Sequence, residues 1–341
     1  MNTVENQMTS EKIWRLVDRY KMEIILILLI VASSIMSPVF LTLSNWMTIL
    51  GGRSAMKGII AFGMTFVIIC GEIDLSIGST VGISGIICAE IMISMTNAGV
   101  SSAVAGIAGI VAALLVGVVI GLINGLLMVT FHMPSFIVTL GMTNAVYGLA
   151  QIIAPYTVTG LPMWYKWFGS GRLFQFGEVE AATLRNLPPV PVMFLVILFV
   201  VALILLTRTK FGRAVYAVGG NAESARLSGI NVKAVRVAVI TIVQFCAAFA
   251  GIIMSSSVTS ASFTFGVGWE MDVIASVIIG GASLAGGSGT ALGTMIGVIF
   301  LGVVNDIMAL CSVSTAMQYV VQGGLVVFAV LLNSIHIRRK A

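Results

Sequence analysis

The stretch "ICGEIDLSIGS" (residues 69–79) sets two carboxylates, Glu72 and Asp74, between two strongly apolar runs. Acids at membrane depth are costly, and they mark a functional site or a buried partner. The stretch also decides the fold, through length. Gly58 to Met95 is 38 residues, and two full membrane crossings need about 40. Nothing remains for a loop, so the segment between the two runs lies at least partly at membrane depth. Backbone broken there must be buried in protein or line a wet cavity, because lipid cannot satisfy its polar groups.

Working outward, the remaining sequence is of the same kind. Of 341 residues, 58% are hydrophobic and 9% charged, against roughly 25% charged in soluble domains. Ten apolar runs read as spans, at roughly 22–41, 57–70, 77–95, 101–129, 135–154, 191–207, 235–255, 269–281, 290–310 and 317–333. The fold class is therefore an all-α polytopic membrane protein of about ten transmembrane helices, residues 22–333. The 37 glycines suit close helix approach. Cys70, Cys88, Cys246 and Cys311 lie in or beside apolar runs without metal spacing, and read as small core residues. With only His132 and His336 present, a histidine metal centre is not expected, and His132 in "FHMPS" reads as an interfacial residue.

Charge sets the expected orientation. Thirteen of the eighteen Lys and Arg fall on one side of a ten-span arrangement. They are Lys12, Arg15, Arg19 and Lys21 before the first span, Arg208, Lys210, Arg213, Arg226, Lys233 and Arg236 around the loop at 208–234, and Arg338, Arg339 and Lys340 at the end. The opposite side keeps Arg53, Lys57, Lys166, Arg172 and Arg185. The excess predicts cytoplasmic termini, with clustering that reports orientation rather than nucleic-acid binding. Residues 1–21 carry no cleavable signal, and Ile13, Leu16, Val17 and Tyr20 share one face of a short surface helix. The segment 155–190 is an external loop, 208–234 the substantial cytoplasmic one, and 334–341 a basic cytoplasmic tail.

Two halves show a pattern in common. "GVVIGLING" carries Gly117, Gly121 and Gly125 with Asn124, and "GTALGTMIG" carries Gly289, Gly293 and Gly297 with Asn305 two turns on. The glycine-rich break "GGASLAGGSG" (280–289) has the place in the second half that "GEIDLSIGS" has in the first. Interrupted helices in corresponding positions point to a transport pathway, although tandem small residues are a packing signal first. Asp74 precedes "LSIGSTVGISGII" and reads as a cap for that span, a pathway residue or a coupling proton site. Glu270 and Asp272 in "GWEMDVIA" read as solvated end charges or as gate contacts. Glu72, Asp74, Asn124, Glu270, Asp272 and Asn305 are thus the candidate pathway residues.

Enzyme chemistry has little to work with. No HExxH occurs, and "GGSGTALG" lacks the lysine of a phosphate-binding loop. A primary pump could not hydrolyse ATP with this chain alone. The loop "FGRAVYAVGGNAESARLSGINVKAVR" is more informative. Asn221 suits an N-cap, Ala222 to Ser228 two helical turns, and Gly229 a C′ stop. Flanked by basic residues, this short helix reads either as a docking element or as a plain connector.

From about residue 36 to 333 the sequence resembles the permease subunits of ribose-type bacterial sugar ABC importers. The resemblance rests on "SPVFLT", "GMTFVIICGEIDLSIGS", "MPSFIVTLG", "TRTKFGRAVYAVGGNAESARLSGINV", "WEMDVIASVIIGGASLAGGSGTALGTMIG" and Gln318, Gln322 and Gly323 in colinear order. Glu72 and Trp269 depart from the family pattern. The resemblance implies a type II importer permease in the bacterial inner membrane, working as a dimer of permease copies. It implies an external substrate-binding protein and a cytoplasmic subunit that binds the ATP, with no cofactor in this chain. Gly219, Gly220, Asn221, Ala225, Leu227, Ser228 and Gly229 would form the element that seats in the ATPase. A small sugar is the implied cargo. The alternatives are another small polar solute of the same superfamily, or an ion-coupled secondary transporter or channel using Glu72 and Asp74.

Overall fold

The computed structural model describes residues 21–174, 183 and 186–340. The expected surface helix within 1–21 and the middle of the 155–190 loop lie outside the described residues. The helices are α1 (Lys21–Met36), α2 (Leu43–Gly51), α3 (Arg53–Ile69), α4 (Ile77–Asn97), α5 (Ser102–Phe131), α6 (Ser135–Ile153), α7 (Trp167–Ser170), α8 (Val190–Arg208), α9 (Lys210–Gly220), α10 (Ala222–Leu227), α11 (Val232–Val258), α12 (Trp269–Ile279), α13 (Ala291–Leu310) and α14 (Thr315–Lys340). A two-residue antiparallel pair, β1 (Val158–Thr159) with β2 (Ser260–Ala261), ties the 155–174 segment to the end of α11.

A helix accompanies each of the ten expected spans. Among the described residues, α4, α5, α6, α8, α11 and α13 are long and apolar enough to cross a membrane, and α2 with α3 passes the same test only when taken together as one unit bent by 46°, the pattern of a broken span or of a re-entrant loop. The 11 residues of α12 rise only about 17 Å, roughly half of a ~30 Å hydrocarbon core. α14 runs on as helix through the expected tail as far as Lys340.

Burial separates a core from a lipid-facing shell. α4 and α11 are enclosed along most of their length, and α11 packs along α5, α4 and α3. α5, α6 and α8 turn large apolar side chains such as Ile107, Leu115, Ile137 and Ile197 outward. Such a shell is natural where the surrounding solvent is itself hydrocarbon. The glycine stripes set the closest approaches. A Cβ at Gly121 would fall 2.6 Å from Thr241 Cα, and one at Gly125 2.8 Å from Val237 Cα, so α5 lies against α11 backbone to backbone. Gly293 and Gly297 do the same for α13 on α12, facing the carbonyls of Gly280 and Ser276. Both stripes therefore perform helix packing. Cys70, Cys88 and Cys246 are buried as expected, whereas Cys311 is exposed just beyond α13.

Candidate functional site

The first break, residues 70–76, is non-helical and largely buried. α3 stops in a left-handed turn: Gly71 has φ +83°, Gly71 N–H donates to Ile68 O and Glu72 N–H to Val67 O, each at 3.0 Å. This is the C-terminal motif for which glycine is suited. Beyond it the backbone has no helical partner, and α6 supplies one. Ser135 Oγ accepts from Ile73 N–H at 3.2 Å. Thr139 Oγ1 lies 3.4 Å from Ile73 O, its closer acceptor being Ser135 O at 2.9 Å, and Thr143 Oγ1 stands between Leu75 O at 3.0 Å and Thr139 O of its own helix at 2.9 Å. Spaced four apart, these three side chains line one helical face. They provide the polar partners that lipid would not.

Asp74 is fully buried at the centre of a polar knot. Its Oδ1 accepts from Ser76 N–H at 2.8 Å and Ser76 Oγ–H at 2.7 Å, and its Oδ2 from Gln244 Nε2 at 2.7 Å. Gln244 also donates to Ser76 Oγ at 2.7 Å and accepts from Thr80 Oγ1, while Asn124 Nδ2 donates to Ser76 Oγ at 3.0 Å. Each atom that meets the carboxylate is a donor, which suits its acceptor-only ionised form. The knot joins the break to α4, α5 and α11. Ser76, not Asp74, holds the N-cap position of α4, so Asp74 fixes the turn ahead of the helix rather than its first-turn N–H groups. Glu72 leaves this cluster and pairs with Arg236 of α11, 3.0 Å apart.

A second cluster surrounds the start of the half-helix α12. Lys57 Nζ forms an ion pair with Asp272 and lies 5.8 Å from the centroid of the Trp269 ring. Asp272 is buried, so it is not a solvated end charge, and its partner Lys57 lies within α3. Asn305 lines the same small cavity with Ser54 and Ser276, and its Oδ1 accepts from Gln322 Nε2 of α14 at 2.8 Å. Glu270 is half-buried, its carboxylate 2.6 Å from where a Cβ at Gly78 would stand. The six expected pathway residues thus divide: Asp74 with Asn124, Asp272 with Asn305, and Glu72 and Glu270 separately.

The short helix α10 forms as the sequence suggests. Asn221 Oδ1 accepts from Ser224 N–H at 2.8 Å. Gly229 has φ +83°, and Ile230 N–H closes the end on Ala225 O at 3.0 Å. Ala225 turns inward, whereas Leu227 is 74% exposed and Ser228 is exposed beside it. Glu223 and Arg226 pair on the open face, and the guanidinium holds the Glu223 carboxyl below its ordinary value.

Behind α10, three pieces of chain meet through glycine backbone. A Cβ at Gly219 would stand 1.7 Å from Ile69 O and 2.7 Å from Gly287 N. Gly287 N–H donates to Ile69 O at 2.8 Å, and Tyr216 Oη donates to Gly289 O at 2.7 Å. The end of α9, the end of α3 and the 280–290 break thus share one junction with no room for a side chain. Gly220, one residue on, faces open space.

Sequence reasoning did not single out Gln244, Ser76, Thr80, Lys57 or the 135/139/143 ladder. The signals were present: Gln244 is a polar group inside "ITIVQFCAAFA", and the S-x3-T-x3-T spacing places three hydroxyls on one face.

The family described as branched-chain amino acid transport system, permease component, matches residues 46–330. The chain is 35% identical to the ribose import permease protein RbsC of Escherichia coli (strain K12), over 97% of this chain and 98% of that protein. It is 35% identical to the L-arabinose ABC transporter permease protein AraH of Azospirillum brasilense, over 94% of this chain and 89% of that one. With the galactose/methyl galactoside import permease protein MglC of Escherichia coli (strain K12) it shares 31% identity, over 93% and 94%. No solved structure matches the chain. The membrane helices, the interrupted spans and these matches agree, and the chain belongs to this family of ABC-importer permease components.

Proposed function

We propose that this chain is the translocating subunit of an ATP-driven importer for a small sugar, a pentose or hexose. A separate cytoplasmic subunit binds and hydrolyses the ATP, an external binding protein delivers the cargo, and two permease copies enclose the path. The observation that carries this reading is α10 with the junction behind it. A capped helix presents an exposed leucine outward, while Gly219 rests on the end of α3 and on the 280–290 break. Force applied to α10 by a closing ATPase dimer would pass through backbone contact into both breaks. The cargo class follows the names of the relatives above. An ion-coupled mechanism has less support, because Glu72 is held by Arg236 and Asp74 by three donors.

The test is the Leu227→Glu variant. A charge forced into a desolvated contact costs several kcal/mol, enough to abolish a modest interface. The variant should insert and fold, retain at least tenfold less ATPase subunit on co-purification, and lose sugar uptake in proteoliposomes. Undiminished ATPase retention and uptake would reduce α10 to a connector. Orientation has its own test in intact cells. With cytoplasmic termini, an impermeant thiol reagent should label Ser170→Cys and spare Ser224→Cys, both positions being exposed; the reverse pattern would overturn the arrangement.

A further inference from the structure

α5 and α11 touch along their glycine stripe, and beside that contact they leave an open groove of about 870 Å³. Its walls are apolar, with Leu122 and Leu126 from one side and Val237 and Phe245 from the other. We propose that this groove binds an anionic phospholipid, with an acyl chain between the helices and the phosphate at Lys233.

Length supports this occupant. The α5 wall runs over residues 118–130, about 18 Å of helix, close to the ~15 Å that one leaflet contributes to the hydrocarbon core. The groove therefore runs from near the bilayer centre to a single headgroup level. Chemistry at its two ends differs. The inner end is closed by side chains such as Val118 and Phe245, and the outer end by Thr130, Asn231 and Lys233. Lys233 has no hydrogen bond or ion pair among the described residues, whereas Arg236, one turn on, is engaged with Glu72. Asn231 uses its Oδ1 to cap α11, accepting from Ala234 N–H at 3.0 Å, which leaves its amide nitrogen free to donate. No acidic residue lines the groove. An ammonium and an amide donor at the mouth of an acyl-sized slot match a phosphate on a lipid tail. This end also belongs to the basic side of the chain, where anionic headgroups concentrate.

The experiment uses the full-length permease in mild detergent with equimolar phosphatidylglycerol and phosphatidylcholine, read by native mass spectrometry. Phosphatidylglycerol should be retained about fivefold or more over phosphatidylcholine. Lys233→Gln should remove that preference, and Ala238→Trp, which fills the slot, should lower retention of both lipids. In parallel, the unsubstituted protein is irradiated with phosphatidylglycerol carrying a diazirine in its acyl chain, so the result does not depend on any variant folding. Labelling should fall on peptides covering 118–130 and 233–245. Retention unchanged in Lys233→Gln, or labelling confined to other helices, would overturn the proposal. So would crosslinking of a second permease copy through these peptides, since the occupant would then be protein.

Discussion

The break at 70–76 is walled in by α4, α5, α6 and α11, whereas the break at 280–290 lies half open at the end of the bundle. Both begin alike. α3 ends at Gly71 with φ +83° and α12 at Gly281 with φ +93°, and the following N–H groups close on Val67 O and Val277 O. They then diverge. The first break spends its polar groups on side chains of other helices, with three hydroxyls of α6 and the Asp74 knot holding it in place. The second contains five glycines between 280 and 289 and is held partly by its own turns, with Ser283 N–H on Ser288 O and Gly286 N–H on Ser283 O, each at 3.0 Å, and partly by Gly287 N–H on Ile69 O and Tyr216 Oη on Gly289 O. A segment held by side chains from several helices is a fixed point. One held by its own turns, by the backbone at Ile69 and by a single tyrosine hydroxyl has fewer side-chain ties to other helices. In the mechanism proposed above, the first break would be the fixed point and the second the part that moves.

The largest way to break this contrast is at Asp74. Asp74→Leu leaves Ser76 N–H, Ser76 Oγ–H and one Gln244 N–H without their acceptor. An unsatisfied buried group costs about 1–3 kcal/mol. The yield of folded permease on size exclusion should fall severalfold, and the thermal midpoint in detergent should drop. Asp74→Asn keeps one acceptor oxygen and should lie between the variant and the parent. Normal yield for Asp74→Leu would remove the first break from its role as a fixed point.

Smaller effects are expected from single hydroxyls in the two breaks. Thr143→Val keeps shape but removes the hydroxyl that reaches Leu75 O, and should cost about 1 kcal/mol. Ser283→Ala in the second break removes only a local acceptor for Ala285 N–H in an exposed turn. It should stay within about 0.5 kcal/mol. Thermal unfolding of the two variants side by side is the measurement. An equal loss in both would mean that the two breaks are held in the same way.

Much of this was legible in the sequence. The shortage of residues between Gly58 and Met95 required a break at membrane depth, and a buried one was found. Asn221 and Gly229 marked the ends of α10 because capping is local chemistry that neighbouring residues specify. Partnerships across the fold were not legible. Nothing in "GEIDLSIGS" says that Asp74 turns to Gln244, 170 positions away, while Glu72 turns to Arg236. The charge pattern counted Lys57 at the start of a span but could not show that its partner is Asp272, 215 positions away. The glycine pattern suggested two matching halves, yet Asn124 meets Ser76 in the knot and Asn305 meets Gln322 on α14. Side-chain targets depend on helix rotation, which a single sequence leaves open.

In the proposed mechanism Gly219 is the contact through which motion at α10 would reach the bundle. The direct measurement compares Gly219→Ala with Gly220→Ala in proteoliposomes, scoring sugar uptake and retention of the ATPase subunit together. A methyl at 219 meets Ile69 O and Gly287 N, whereas one at 220 meets open space. Gly219→Ala should retain its ATPase but lose uptake tenfold or more, whereas Gly220→Ala should keep both. Full uptake in Gly219→Ala, or equal loss in the two variants, would contradict that mechanism.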